Sequence, residues 1–160
     1  MTSQTTLPDG NLVVDASLLV GIVDKNRAAQ AFVSVLSRSR ITSVNFGEVL
    51  YKLKEMSGAD PARVEQALTA AGVSVEPFEL PDARHFPELK RIDLLSRDSQ
   101  RAAGVVPEKI TSLSLADMAC LAYALEHGLP VLTGDSHWCT LGRYGLAVPV
   151  FDFRDKTTLP

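Results

Sequence analysis

Asp15, Glu48, Asp117 and Asp135 are the residues of this chain whose type and placement could do chemistry. Each carboxylate follows an apolar, strand-like run or opens the helix behind one. Asp15 follows Leu12-Val13-Val14, and Glu48 follows Ile41-Thr42-Ser43-Val44. Asp117 closes Ser114-Leu115-Ala116-Asp117, and Asp135 follows Pro130-Val131-Leu132-Thr133-Gly134. In a parallel α/β sheet such places share one edge, the carboxyl ends of the strands, where ligands bind. Four converging carboxylates make a site for hard divalent cations, which take oxygen donors and keep several waters, and hence for phosphoryl chemistry. At about 5 Å apart, each pair repels by roughly 3 kcal/mol at an effective dielectric of about 20, so several such pairs demand protonation or a bound metal.

Each acid taken alone also has a simpler role. Asp15 could cap the helix starting at Ala16, and Asp135 could open a turn with Ser136. Asn45-x-x-Glu48 and Ser114-x-x-Asp117 both read as capping boxes, with an acid three residues past the cap. Capping and metal binding are compatible, because helix N-termini would then orient the carboxylates. Asp117 lies among Leu113, Leu115, Ala116, Met118, Ala119, Leu121 and Ala122, where an unpaired charge is costly to bury. Ser17, Ser114 and Thr133 could donate hydrogen bonds to the acids. His137, close behind Asp135, could touch a phosphate but reads first as a surface imidazole, Trp138 reads as packing rather than base stacking, and His85 and His127 have no ligand spacing. Arg38, Arg40, Lys52, Lys54 and Arg143 could line a phosphate groove, although solvated surface charge is the commoner role. No Gly-rich phosphate loop, CxxC pair or HExxH motif is present.

The elements that must position these residues follow from hydrophobic periodicity. With 160 residues, 46% hydrophobic and 22% charged, the chain is long enough for one domain with a substantial core. Strands are expected at Leu12–Val14, Arg40–Val44, Val73–Phe78, Leu129–Thr133 and Ala147–Phe151. Helices are expected over Leu18–Val23, Arg27–Ser37, from Asn45 to near Gly58, from Asp60-Pro61 to Gly72, over most of Pro81–Gly104, and over the apolar Leu113–Glu126. Strands alternating with helices, over connections too long for hairpins, indicate a parallel sheet with helices on both faces. The polar ends read as a lead over residues 1–11 and a tail over 154–160, flanking a folded domain at 12–153.

The longest apolar stretch, near Leu113–Leu125, is interrupted by Asp117, so no membrane span is expected. The N-terminus carries no basic region followed by an apolar run, so no signal peptide is expected. Cys120 and Cys139 have no metal-ligand spacing, and a reducing cytoplasm is the expected location. The net charge is −3; removing the four candidate acids leaves +1, so the acidic balance weighs little against a metal-dependent nuclease.

Val13-Val14-Asp15-Ala16-Ser17, Asn45-Phe46-Gly47-Glu48-Val49, Ser112-Leu113-Ser114-Leu115-Ala116-Asp117 and Pro130-Val131-Leu132-Thr133-Gly134-Asp135 together resemble the PIN-domain family. Length and order of elements resemble its VapC-like toxin branch, and the resemblance runs from Leu12 to Phe153. It implies an α/β three-layer sandwich with a parallel sheet of about five strands. It further implies a Mg2+- or Mn2+-dependent endoribonuclease of a type II toxin–antitoxin system. Asp15, Glu48, Asp117 and Asp135 would hold one or two metals, with Ser17 and Thr133 as supporting donors. The implied partners are an RNA substrate, a second copy in a homodimer, and a small VapB-like antitoxin, with no membrane. RNA recognition is expected in the loops Gly104–Thr111 and Ser136–Gly145. The rival readings are a structure-specific DNA nuclease, an Asp-dependent phosphatase, for which Ser17 stands where a second Asp is wanted, and an RNA-binding module whose acids only cap helices.

Overall fold

Tripeptides such as Leu-Val-Val are buried on both faces only when helices cover both sides of a parallel sheet, and that is the architecture found. The computed structural model describes residues 5–155 and 157–160; residues 1–4 of the polar lead and residue 156 of the tail lie outside the described residues. In chain order come β1 (Thr5–Thr6), β2 (Leu12–Val14), α1 (Ala16–Val23), α2 (Arg27–Gln30), a 3₁₀ segment (Val33–Arg38), β3 (Ser39–Thr42), α3 (Ser43–Ser57) and α4 (Pro61–Ala70). They are followed by β4 (Ser74–Glu76), α5 (Leu80–Ala83), α6 (Phe86–Ala102), a 3₁₀ turn (Pro107–Lys109) and α7 (Leu115–His127). The chain then forms β5 (Val131–Thr133), a second 3₁₀ segment (Ser136–Tyr144), β6 (Val150–Asp152) and β7 (Thr157–Thr158).

The central sheet has the order β4-β3-β2-β5-β6, and every pair in it is parallel. From β2 the chain builds outward through β3 and β4, and later through β5 and β6 on the other side. The β2/β5 pair is therefore the topological switch point, where a crevice opens beyond the carboxyl ends of the strands. Alternation along the strands sorts side chains between two cores. Leu12, Val14 and Leu132 pack with Leu18, Leu19, Val49 and Leu53 of α1 and α3. Val13 and Val131 pack with Leu89, Ile92, Leu121 and Trp138 on the opposite face. The three-layer α/β sandwich is thus the observed fold.

Three local expectations are corrected. The single helix over Arg27–Ser37 is instead α2 and a 3₁₀ segment; Val33-Ser34-Val35 and the serines after it are poor helix formers, and Asn26 caps α2 by accepting from the Ala28 and Ala29 amides. Helix α3 starts at Ser43, because the Thr42 hydroxyl accepts the Asn45 amide at 3.1 Å. Asn45 is thus inside the helix rather than its cap, and Glu48 is no capping-box partner. The described parts of the polar ends are also structured: β1 pairs with β7, and Leu7 is buried in the first core. Arg38, a candidate phosphate ligand by sequence, donates to the Pro8 and Gly10 carbonyls at 2.7 and 2.6 Å and ties this lead down. Among the described residues, no helix is long and apolar enough to cross a membrane.

A carboxylate cleft at the switch point of the sheet

Asp15 leaves the central strand β2 and stands at the head of α1 without capping it, since its side chain accepts no amide from that helix. Its two oxygens are held instead by a pair of hydroxyls. Ser17 Oγ donates to Oδ1 at 2.6 Å, and Thr133 Oγ1 donates to Oδ2 at 2.9 Å. Each hydroxyl accepts in turn from the loop after β5: the Gly134 amide reaches Ser17 Oγ at 2.8 Å, and the Asp135 amide reaches Thr133 Oγ1 at 3.0 Å. Two parallel amide–hydroxyl–carboxylate relays thus clamp Asp15 to the neighbouring strand across the switch point.

The other acids arrive from three directions. Glu48, the sixth residue of α3, pairs with Lys52 one turn on at 2.6 Å. Asp117 sits in a reciprocal capping box, its Oδ2 accepting the Ser114 amide at 2.7 Å while its own amide donates to Ser114 Oγ at 3.1 Å. Asn45 Nδ2 donates to the Ala116 carbonyl at 2.9 Å and pins the Glu48 helix against the start of the Asp117 helix. Asp135 opens its turn as the sequence indicates, accepting the His137 amide at 2.9 Å. All four acids line a single cleft of about 350 Å³, with Ser17, Lys52, Gly134, Ser136 and Arg154 completing its wall.

Charge crowding is visible in the titration of these groups. Burial pushes the Asp15 carboxyl up to about 6, the Ser17 and Thr133 bonds work against that rise, and the charges of Asp117 and Glu48 add to it. Asp117 is raised too, first by burial, with its Ser114 bonds opposing and Asp135 and Glu48 contributing. The buried Cys120 thiol beneath the cleft is pushed well up by burial and then by Asp15, Asp117 and Glu48. Among the described residues, no group of three or more acid, histidine or cysteine side chains is arranged to hold a metal ion; Glu48 is paired with Lys52 and Asp117 with the Ser114 amide.

Among the described residues, two cations stand in this acidic cleft, and the sequence pointed to one of them, Lys52. The other is Arg154, which sequence reading assigned to the tail. Its guanidinium lies 5.3 Å from the centroid of the Phe153 ring and, among the described residues, is in no salt bridge. A Cβ on Gly134 would come within 2.7 Å of the Phe153 ring and 2.9 Å of Arg154 Nε. Gly134→Ala is therefore expected to displace Phe153 in the core and push Arg154 off the cleft, and to destabilise by about 1–3 kcal/mol, the usual range for overpacking, as measured by chemical denaturation. Arg40, Lys54 and Arg143 do not line the cleft. His137 is half-buried rather than a surface imidazole, with Nδ1 3.1 Å from Thr111 Oγ1. Trp138 and Cys120 are buried, as expected.

Comparison with known proteins agrees with this architecture. The fold resembles that of DNA-bound VapBC from Salmonella typhimurium, at 15% identity and TM-score 0.57, covering 91% of this chain and 99% of that one. It resembles FitAcB from Neisseria gonorrhoeae, at 18% identity and TM-score 0.59, covering 90% and 99%. It also resembles Mycobacterium tuberculosis VapC20, described as a sarcin–ricin loop cleaving toxin, at 17% identity and TM-score 0.51, covering 84% and 95%. No curated protein matches the chain. Residues 12–144, most of the chain, match the PIN domain, and the protein belongs to the PIN-domain family.

Proposed function

We propose that this protein is a divalent-metal-dependent endoribonuclease and the toxin of a toxin–antitoxin pair. The observation that carries the reading is the convergence of Asp15, Glu48, Asp117 and Asp135 on one cleft at the switch point. Their chemistry fits the implied ion: an all-oxygen donor set is suited to Mg2+ or Mn2+, and the raised Asp15 and Asp117 carboxyls mark a place where positive charge is wanted. In this reading the four acids hold the ion, and Ser17 and Thr133 orient Asp15 toward it. When bound, the ion supplies Lewis-acid neutralisation of the charge that develops at phosphorus. Arg154, stacked on Phe153 and in no salt bridge, faces the cleft as a donor for phosphate oxygens. Lys52 holds Glu48 in place until a cation competes for it.

RNA is favoured as substrate because a structural relative is described as cleaving the sarcin–ricin loop. The partner assignment rests on relatives crystallised as VapBC and as a toxin–antitoxin complex from Klebsiella pneumoniae. A VapB-like antitoxin, a homodimer and a cytoplasmic location complete the proposal. The reciprocal Ser114–Asp117 cap favours one competing reading, a module whose acids only build helices.

The test is incubation of the partner-free protein with total cellular RNA in Mg2+, in Mn2+ and in EDTA, with the new 5′ ends mapped. Discrete cuts that need metal are expected. Intact RNA in every lane, from folded protein, would remove the ribonuclease assignment. Arg154→Ala in the same assay is expected to lower cleavage by roughly 10-fold or more, in line with the loss of a charge-assisted phosphate contact.

A further inference from the structure

The C-terminal part of α6 and the loop behind it enclose a second pocket of about 330 Å³, lined by Arg97, Arg101, Val105, Pro107, Ile110 and Ser112. Its two guanidiniums are incompletely used. Arg97 leans on the buried Asp93, Nη1 to Oδ2 3.8 Å, while its Nε is buried and donates to nothing among the described residues. Asp93 is committed elsewhere: Oδ1 accepts the Leu113 amide at 2.8 Å, and Oδ2 also faces Lys90 at 3.4 Å. Arg101 meets Asp98 at 2.6 Å, but both side chains are well exposed, and such surface pairs exchange readily for another anion. A buried N–H without an acceptor is unfavourable, and the accessible ends of the Arg97 and Arg101 guanidiniums are the donors that an oxyanion in the pocket would meet. Val105, Pro107 and Ile110 give that anion an apolar wall, which strengthens its attraction to the arginines.

The pocket is also coupled to the acidic cleft. Ser112 lies two residues before Ser114, whose amide touches the Asp117 carboxylate at 2.7 Å. Two residues reach at most about 7 Å, so the backbone at Ser112 stands within about 10 Å of that carboxylate. The same loop is fastened on its cleft side. Thr111 donates through both its amide and hydroxyl to Gln100 Oε1 at 2.9 Å, and its hydroxyl lies 3.1 Å from Nδ1 of His137, two residues past Asp135.

We propose that this pocket holds a backbone phosphate of the RNA strand, a nucleotide or two from the bond that is cut. The inference rests on the ribonuclease reading above. A phosphodiester presents two non-bridging oxygens sharing one charge to a fork of guanidinium donors, and Ser112 on the pocket wall brings that fork to the side of the cleft where Asp117 stands.

The test is binding of a short single-stranded RNA in EDTA, followed by anisotropy over a range of salt concentrations, for the wild type, Arg101→Gln, Arg101→Lys and Ser112→Asp. Arg101→Gln and Ser112→Asp are expected to weaken binding roughly 3- to 10-fold and to flatten the plot of log affinity against log salt. Losing one phosphate contact lowers that slope by about 0.7 for a single strand. Arg101→Lys keeps the slope. With Mg2+, the cleavage defect of Arg101→Gln is expected to be larger for a long RNA than for a dinucleotide. Wild-type affinity and slope in both charge variants, from a protein that still cuts RNA, would overturn the pocket assignment and leave the nuclease standing. A wild type that neither binds nor cuts RNA overturns both. Inorganic phosphate that perturbs the Arg101 and Ser112 amide signals, where RNA does not, would make this a free-anion site and also overturn the assignment.

Discussion

Asp15→Asn is expected to lose metal-dependent RNA cleavage by about 10³-fold or more, and yet to melt at a higher temperature than the wild type in metal-free buffer at neutral pH. The loss of rate follows from removing the charge at the centre of the acid cluster, where Asp15 would help to hold the ion that supplies charge neutralisation at phosphorus in the proposed reading. The gain in stability follows from its titration. Folding raises the Asp15 carboxyl from 3.8 to about 6, chiefly by burial, so the folded state holds this proton more tightly than the unfolded chain. The resulting penalty is absent below about pH 4, grows between about pH 4 and 6, and is complete above that, at roughly 3 kcal/mol. Asp117, also raised by burial, acts in the same direction.

Asparagine removes the Asp15 penalty but can accept from only one of the two hydroxyls, so about 1 kcal/mol or more is given back. A net rise of a few degrees in melting temperature is expected, at about 2–4 °C per kcal/mol for a chain near this size. Mg2+ should stabilise the wild type by mass action and leave the variant unmoved. Thermal melts across this pH range, with and without Mg2+, read all of this. A wild-type melt that is flat with pH, or a variant that still cuts RNA at full rate, would sink the argument.

Thr133→Val should lower cleavage by about 10- to 100-fold while the fold persists, the range for losing a group that orients a metal ligand. Valine matches threonine in shape, but here it takes away two bonds at once: the donor to Asp15 Oδ2 and the acceptor for the Asp135 amide. Both groups lie at the base of the cleft, and a stability cost of about 1–3 kcal/mol accompanies the change. Thr133→Ser keeps the hydroxyl and should restore most of the activity. The decisive readout is the Mg2+ concentration for half-maximal cleavage, measured well below the melting transition. A hydroxyl that only supported the fold would leave that concentration unchanged, whereas one that aims Asp15 should raise it.

Much of this was legible in the chain because the informative signals are local. An acid directly after a Leu-Val-Val strand, or three residues after a Ser cap, announces its place at a sheet edge whatever the rest of the chain does. Strands alternating with helices over connections too long for hairpins likewise indicated the parallel, doubly covered sheet. Arg154 was not legible. Its place on the cleft depends on its following β6, and on the chain's ends pairing through β1 and β7, which are two residues each and carry no periodicity. The apolar Phe153 beside it was the available hint. The tethering role of Arg38 was hidden for the same reason, since its partners are carbonyls 28 and 30 residues away. The start of α3 was misplaced because Thr42 is both a good strand residue and a good cap, and only the tertiary structure decides where one role yields to the other.

The clamp on Asp15 also sets when during synthesis the carboxylate cleft can assemble. Asp15 and Thr133 are 118 residues apart, and at ordinary elongation rates of about 5–20 residues per second that interval is roughly 6 to 24 s. Until β5 is made, β2 has an open edge, Asp15 lacks one of its two hydroxyl donors, and neither Asp135 nor Arg154 exists. Before β5 emerges a nascent chain therefore has no assembled cleft, and under the proposed ribonuclease reading nothing with which to cut the RNA around it. On that reading, activity arises only as β5 and β6 join the sheet, and the proposed antitoxin would have that interval in which to meet the chain.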